Sequence, residues 1–254
     1  PLSGAGWGGG AAEGAGVGRS CLCAGAAQFH VVAYDASVLS ATRLARAGHL
    51  DRSALLNGAN FARNYAHEIL LPLGVRRTVY LDADTVVQGD AAELYDDLPS
   101  LRSRSGAPAV VGWAEACHLR MRHWYEFAEP SGVVAGTLRP GDCYVNAGVF
   151  VMDVVAYDEL GLVQRIEELT AADAAKPRLW KMGVHQSSFV LGLYNHSAAV
   201  DNRWNRLALG WNDELSEAEL DAAAVLHWNG ERKPWLPTGL YTERWEPYAL
   251  PRQQ

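Results

Sequence analysis

Thr78-Val79-Tyr80-Leu81-Asp82-Ala83-Asp84 is the stretch on which the fold turns. Its first four residues are an apolar, β-rich run, and the chain then opens abruptly into two acids one residue apart. In extended backbone, residues i and i+2 point to one side. The two carboxylates can therefore converge on a single cation at the C-terminal end of a buried strand. Ligands of open α/β sheets bind at that end, and hard oxygen donors suit Mg²⁺ or Mn²⁺. Read alone, the same three residues are equally a strand end with two solvated acids.

A second segment changes that balance. His227-Trp228-Asn229-Gly230-Glu231-Arg232-Lys233-Pro234-Trp235 follows the apolar run Val225-Leu226. A histidine placed after a strand can offer an imidazole to a metal, and Gly230 lets backbone approach a ligand closely. Lys233 can neutralise phosphate oxygens as a point charge. The plain alternative is a Trp-rich core corner with a satisfied His. Taken with Asp82 and Asp84, the set of two acids, an imidazole and a lysine fits a metal–diphosphate site. An imidazole ligand moves the preference from Mg²⁺ toward Mn²⁺.

Between and around these segments, the pattern alternates strands with helices. Strands are expected over 29–34, 78–81, 109–113, 144–152 and 225–228. Helices are expected over 38–47 after Ser37, over 61–71 capped by Asn60, over 91–97 capped by Asp90, over 153–170 and over 186–194. Residues 118–142 read as a long loop-rich stretch. Residues 1–28 are rich in Gly and Ala, with no apolar period, and read as a flexible leader. Strands alternating with helices imply an α/β domain over 29–254 with a mostly parallel central sheet flanked by helices.

Composition narrows the function. The chain has 254 residues, 49% apolar and 20% charged, with a formal net charge of -7 from 22 basic and 29 acidic residues. It has no Lys/Arg run, which argues against a nucleic-acid partner. No stretch of 18 apolar residues is present to span a membrane. An anionic ligand would need a metal or a few placed cations. Of the four cysteines, Cys21, Cys23, Cys117 and Cys143, the last two flank one loop-rich stretch. They read either as a disulfide, suited to a secretory lumen, or as two buried thiols.

Three ordered motifs carry a family resemblance. Residues 79–90, Val-Tyr-Leu-Asp-Ala-Asp-Thr-Val-Val-Gln-Gly-Asp, resemble the metal-binding segment of glycosyltransferase family 8. Tyr144-Val145-Asn146-Ala147-Gly148-Val149-Phe150-Val151-Met152 resembles its Asn-Ala/Ser/Thr-Gly-Val strand, and His227 to Trp235 its His-x-x-Gly-x-x-Lys-Pro-Trp element. Cys117-His118, Asn202-Arg203-Trp204-Asn205 and Trp245-Glu246-Pro247-Tyr248 are most similar to the plant galacturonosyltransferase-like branch.

The resemblance implies a single GT-A domain, a UDP-sugar donor, a carbohydrate acceptor such as a pectic cell-wall polysaccharide, Mn²⁺ and retention of anomeric configuration in the Golgi lumen. It implies Asp82, Asp84 and His227 as metal ligands, and Arg63, Asn146, Ala147, Gly148, Gly230 and Lys233 as donor contacts. His185-Gln186 stands where many members carry Asp-Gln near the reacting sugar, which makes Gln186 and His185 the candidate catalytic pair. The family's first, uridine-holding strand has no counterpart in residues 1–28, so an N-terminally incomplete domain is expected. The alternatives are an inactive scaffold of the same fold and, more remotely, a haloacid-dehalogenase-type phosphatase with Asp82 as nucleophile and Asp84 as acid/base.

Overall fold

The computed structural model describes residues 58–249 apart from 176, 177 and 183. The expected leader, the strand over 29–34 and the helix after Ser37 lie outside those residues. The described chain opens with a 3₁₀ helix, Gly58–Tyr65, that runs into α1 (Ala66–Leu70) and a closing 3₁₀ turn, Leu71–Leu73. Asn60 lies inside this run rather than capping it. Gly74 ends it at φ +75°, a left-handed conformation open to glycine. The chain then enters β1 (Arg77–Leu81) and β2 (Thr85–Val87), separated by the acidic turn. Asp90 accepts the Ala92 N–H at 2.9 Å and starts α2 (Ala91–Asp97), as its position before a helical run predicts.

Next come β3 (Val111–Arg120), the short α3 (Val133–Thr137) and β4 (Cys143–Asp153). The single helix expected over 153–170 is two, α4 (Val154–Glu159) and α5 (Leu162–Ala175). They part at Gly161, whose φ of +63° ends the first. The remaining elements are α6 (Val184–Leu193), β5 (Ser197–Val200), α7 (Glu217–Asp221), β6 (Val225–His227) and α8 (Thr242–Trp245).

The main sheet has the order β1-β4-β3-β5. Its strands β1, β3 and β5 run one way, but β4 is reversed between β1 and β3, so those two ladders are antiparallel and only β3–β5 is parallel. The mostly parallel sheet expected from the sequence is therefore a mixed one. Parallel neighbours need a long crossover. The β3–β4 connection has no helix longer than α3, and it brings the chain straight back. Strand β1, expected to be buried, is half-buried at the sheet edge among the described residues.

Burial follows from this order. Strand β4 is covered on both faces, which explains its continuous run Val149-Phe150-Val151-Met152. Phe150 and Met152 join the large core with Trp113, Phe189 and Ile166, while Val149 and Val151 join Leu94, Leu98 and Trp204 on the other face. A smaller core of Val86, Leu209, Leu220, Leu226 and Trp228 lies about the separate β2–β6 ladder.

Two irregularities in β3–β4 shape the functional end. Between the pairs Trp113↔Phe150 and Glu115↔Val145, two steps along β3 face five along β4. The surplus is a bulge carrying Asn146, Ala147 and Gly148, and such bulges re-aim side chains beside sites. Between Ala116↔Tyr144 and Arg120↔Cys143, the surplus is on β3. There the Cys117–Cys143 disulfide ties the strands together, which decides between the two readings of that cysteine pair. Converting Cys117 and Cys143 to serine is expected to lower stability by about 3 kcal/mol through the freed chain between them. Thermal unfolding should record a fall in Tm of about 10 °C, and a Tm unchanged by the double substitution would contradict it.

Candidate active site

The carboxyl ends of β1, β3 and β5 lie on one side of the sheet, where open α/β sheets place their ligands. After Leu81 the β1 ladder continues one bond further, from Asp82 N to the Gly148 carbonyl at 2.7 Å. The chain then turns, with the Thr85 hydroxyl on the Asp82 carbonyl at 2.8 Å, into β2. Strand β2 pairs antiparallel with β6 in a register that sets Thr85 opposite His227, and Trp228 N donates to the Asp84 carbonyl at 2.9 Å. Residues more than 140 apart in sequence are thus neighbours by backbone bonding.

The three candidate ligands meet here. His227 Nε2 is 3.2 Å from Asp84 Oδ1 and 3.8 Å from Asp82 Oδ2. One donor atom from each of Asp82, Asp84 and His227 falls within 4.8 Å of the others. A Cβ on Gly148 would stand 2.3 Å from His227 Cε1 and 2.6 Å from Asp82 Oδ2. That close approach bars a side chain at residue 148, and the donor set of two carboxylates and an imidazole fits a divalent ion.

Two cations flank the acids. Arg63, buried under the bulge, bonds Asp82 Oδ1 at 3.0 Å and also donates to the Ala147 carbonyl. Its guanidinium lies over the Tyr80 ring, 4.8 Å from the centroid, and Tyr80 donates its hydroxyl to the same Asp82 oxygen at 2.8 Å. Lys233 bonds Asp84 Oδ2 and the Trp228 carbonyl. Burial alone would push the Asp84 carboxyl upward. Hydrogen bonds and charge from His227, then from Lys233, outweigh it and bring the group down to about 2.

The remaining candidates are placed as follows. Asn146 Oδ1 accepts the Gly148 N–H at 2.9 Å, so this oxygen holds its own turn, as the Asx geometry allows. Gln186 accepts the Ala147 N–H at 3.2 Å and donates to the Tyr144 hydroxyl. His185, on the same helix, meets Phe61 edge-on with centroids 5.8 Å apart, and its Nδ1 has no hydrogen-bond partner among the described residues. Gly230 lies against Gly210: a Cβ on Gly230 would stand 2.2 Å from the Gly210 carbonyl carbon. Its lack of a side chain is thus required by a backbone crossing, independently of any ligand.

Sequence reading passed over Tyr80, Gly210 and the role of Asn205. Asn205 Oδ1 lies 2.8 Å from His227 Nδ1 and its amide nitrogen 3.1 Å from the Asn146 carbonyl. The signal for it was the polar residue following Trp204, but nothing local links it to His227.

Comparison with known proteins agrees with this geometry. Solved structures of similar shape are glycosyltransferases, and they establish a GT-A fold. The galactosyltransferase LgtC with donor and acceptor sugar analogues matches with a TM-score of 0.53 at 17% identity, covering 78% of this chain and 69% of that one. GlyE of Streptococcus pneumoniae matches with a TM-score of 0.52 at 18% identity, covering 75% and 43%. Residues 26–239 match the family model for glycosyl transferase family 8, and the chain belongs to that family. Among curated relatives, the probable galacturonosyltransferase-like 9 of Arabidopsis thaliana is 32% identical over 214 residues, 78% of this chain and 51% of that protein. The probable galacturonosyltransferase-like 6 of the same plant is 32% identical over 215 residues, 79% and 58%. The chain spans little more than half the length of these relatives. Family membership sets the phosphatase reading aside.

Two measurements test the site. Gly148→Ala puts a methyl between imidazole and carboxylate. It should weaken divalent-ion binding at least tenfold by calorimetric titration and cost about 1–3 kcal/mol of stability. Undiminished ion binding would contradict the placement. His185 is drawn down to about 4, first by burial and then by the Arg63 charge. Its folded pKa lies below its unfolded value near 6.5, so its contribution to stability is complete above that value and lost as pH falls toward 4. Denaturant unfolding should show a loss approaching 1.4 kcal/mol per pH unit in that window, flattened in His185→Asn.

Proposed function

We propose that this chain is the catalytic core of a retaining hexosyltransferase that moves a galacturonosyl, or a galactosyl or glucosyl, group from a UDP-sugar to a carbohydrate hydroxyl. The observation that carries the reading is the meeting of Asp82, Asp84 and His227 with Lys233 and Arg63 beside the β4 bulge. Mn²⁺, or Mg²⁺ in second place, would be held by Asp82, Asp84 and His227 and would supply Lewis-acid stabilisation of the diphosphate.

The chain's own groups account for the rest. The chemical problem is a departing UDP that gains negative charge as the bond to the anomeric carbon breaks. Lys233 stands at the acids with its positive charge already placed, and a preorganised charge of this kind is worth about 3–4 kcal/mol. Arg63 holds Asp82 and the buried Ala147 carbonyl, fixing the bulge on which the partly exposed Asn146 would face the donor sugar. Gln186 braces the same bulge through the Ala147 N–H. A carboxamide there is a poor covalent nucleophile. This supports attack by the acceptor hydroxyl on the face that UDP leaves, with retention through an oxocarbenium-like state. A glycosyl adduct trapped on a side chain would overturn that route.

A cleft of about 460 Å³ lined by Glu115, His118, Asn205, Arg206 and Leu207 opens beside the bulge and supports entry of a carbohydrate acceptor. The names of the Arabidopsis relatives support a galacturonosyl donor. The disulfide supports an oxidising compartment, for which we propose the Golgi lumen. No helix among the described residues is long and apolar enough to cross a membrane.

Release of UDP from a panel of UDP-sugars, with and without Mn²⁺, tests the proposal. Metal-dependent release is expected from one donor, with a loss in kcat of about 10²–10³ in Lys233→Ala and a comparable loss in Asp84→Asn. A folded protein that releases UDP from none of them would favour the inactive scaffold.

A further inference from the structure

This inference rests on the reading of Asp82, Asp84 and His227 as ligands of a divalent ion. His227 is 1% exposed, and its two ring nitrogens have different surroundings. Nε2 faces the acids, while Nδ1 is 2.8 Å from Asn205 Oδ1. Which end of the Asn205 amide is oxygen follows from its other contact. The far end lies 3.1 Å from the backbone carbonyl of Asn146, which can only accept. That end is therefore the NH₂ group, and the oxygen faces the imidazole. An amide oxygen can only accept in turn, so Nδ1 carries a hydrogen, and Nε2 is the nitrogen turned to the acids, 3.2 Å from Asp84 Oδ1.

The chain around Asn205 leaves this amide little freedom. Asn205 is 6% exposed. His227 N donates to the Arg206 carbonyl and Arg206 N to the Val225 carbonyl, each at 2.9 Å, which straps residue 206 to β6. We propose that Asn205 is a positioning residue that holds the His227 ring by its Nδ1–H and so keeps Nε2 as the nitrogen presented to the ion. The same amide reaches Asn146 Oδ1 at 3.4 Å, the oxygen that holds Gly148 N. One side chain therefore sets both the imidazole and the bulge whose Gly148 packs against it.

The test uses the full 254-residue chain. ¹⁵N NMR of the imidazoles in metal-free protein reads the tautomer, and electron paramagnetic resonance reads Mn²⁺ affinity. Wild type is expected to show Nδ1–H at His227. Asn205→Leu removes the acceptor, which should depopulate Nδ1–H and weaken Mn²⁺ binding about 10- to 100-fold. Asn205→Asp keeps an acceptor and should retain Nδ1–H, with Mn²⁺ affinity within a few-fold of wild type. A purely structural role would impair both variants alike without moving the tautomer. An Nδ1 without its hydrogen in wild type, or Mn²⁺ affinity in Asn205→Leu within twofold of wild type, overturns the proposal. If Asn205→Leu does not fold, Asn205→Asp decides: retained Nδ1–H supports it and loss of Nδ1–H overturns it. Wild type that binds no Mn²⁺, or binds it as well as His227→Ala does, overturns the ion reading and this proposal together. Failure of this proposal alone is recognised by wild-type binding that His227→Ala loses and Asn205→Leu keeps.

Discussion

The short ladder between β2 and β6 is the interaction on which the site depends. Its register places Thr85 opposite His227 and ties Trp228 N to the Asp84 carbonyl. A slip by one residue would send every side chain of the strand to the other face, and the imidazole would leave the acids. The register is held by burial: Val86, Leu226 and Trp228 sit in one small core with Leu209 and Leu220. A few apolar side chains outside the main sheet therefore decide whether the two distant segments bring Asp84 and His227 together.

Electrostatics in the site are arranged against the sign of the whole chain. The molecule carries a formal charge of -7, yet the two acids at the bulge are each held by a cation, Asp82 by Arg63 and Asp84 by Lys233. Paired in this way, the Asp84 carboxylate stays ionised although partly desolvated. Arg63 is fixed further by the Ala147 carbonyl and by the Tyr80 ring beneath it. An anionic ligand would thus meet a locally prepared surface, although its long-range encounter would be with an acidic protein.

Much of this was legible in the residues themselves. The strand ending in Asp82-Ala83-Asp84, the apolar run of β4, the Asp90 cap and the two-acid, one-imidazole set could all be read from local pattern. What could not be read depends on pairing between distant segments. The reversal of β4 changes no residue pattern, because a strand buried on both faces looks the same in either direction. Strand β3 runs on through Arg120 where its sequence reads as loop, because the disulfide and the β4 ladder hold it. Gly161 divides a helix whose apolar spacing continues across the break. Asn205 and Tyr80 are ordinary residues in isolation, and they gain a role from the atoms that tertiary structure brings to them.

The crossing of Gly210 and Gly230 carries a consequence for how this sequence can drift. The backbones approach so closely that a Cβ on either residue would lie less than 3 Å from main-chain atoms of the other. Main chain cannot be trimmed, so a clash created at one position has no compensating replacement at its partner. The two positions are locked independently, without the reciprocal exchange by which large and small side chains trade places in cores. Variation in the segment leading to Lys233 is therefore channelled into the residues on either side of the crossing.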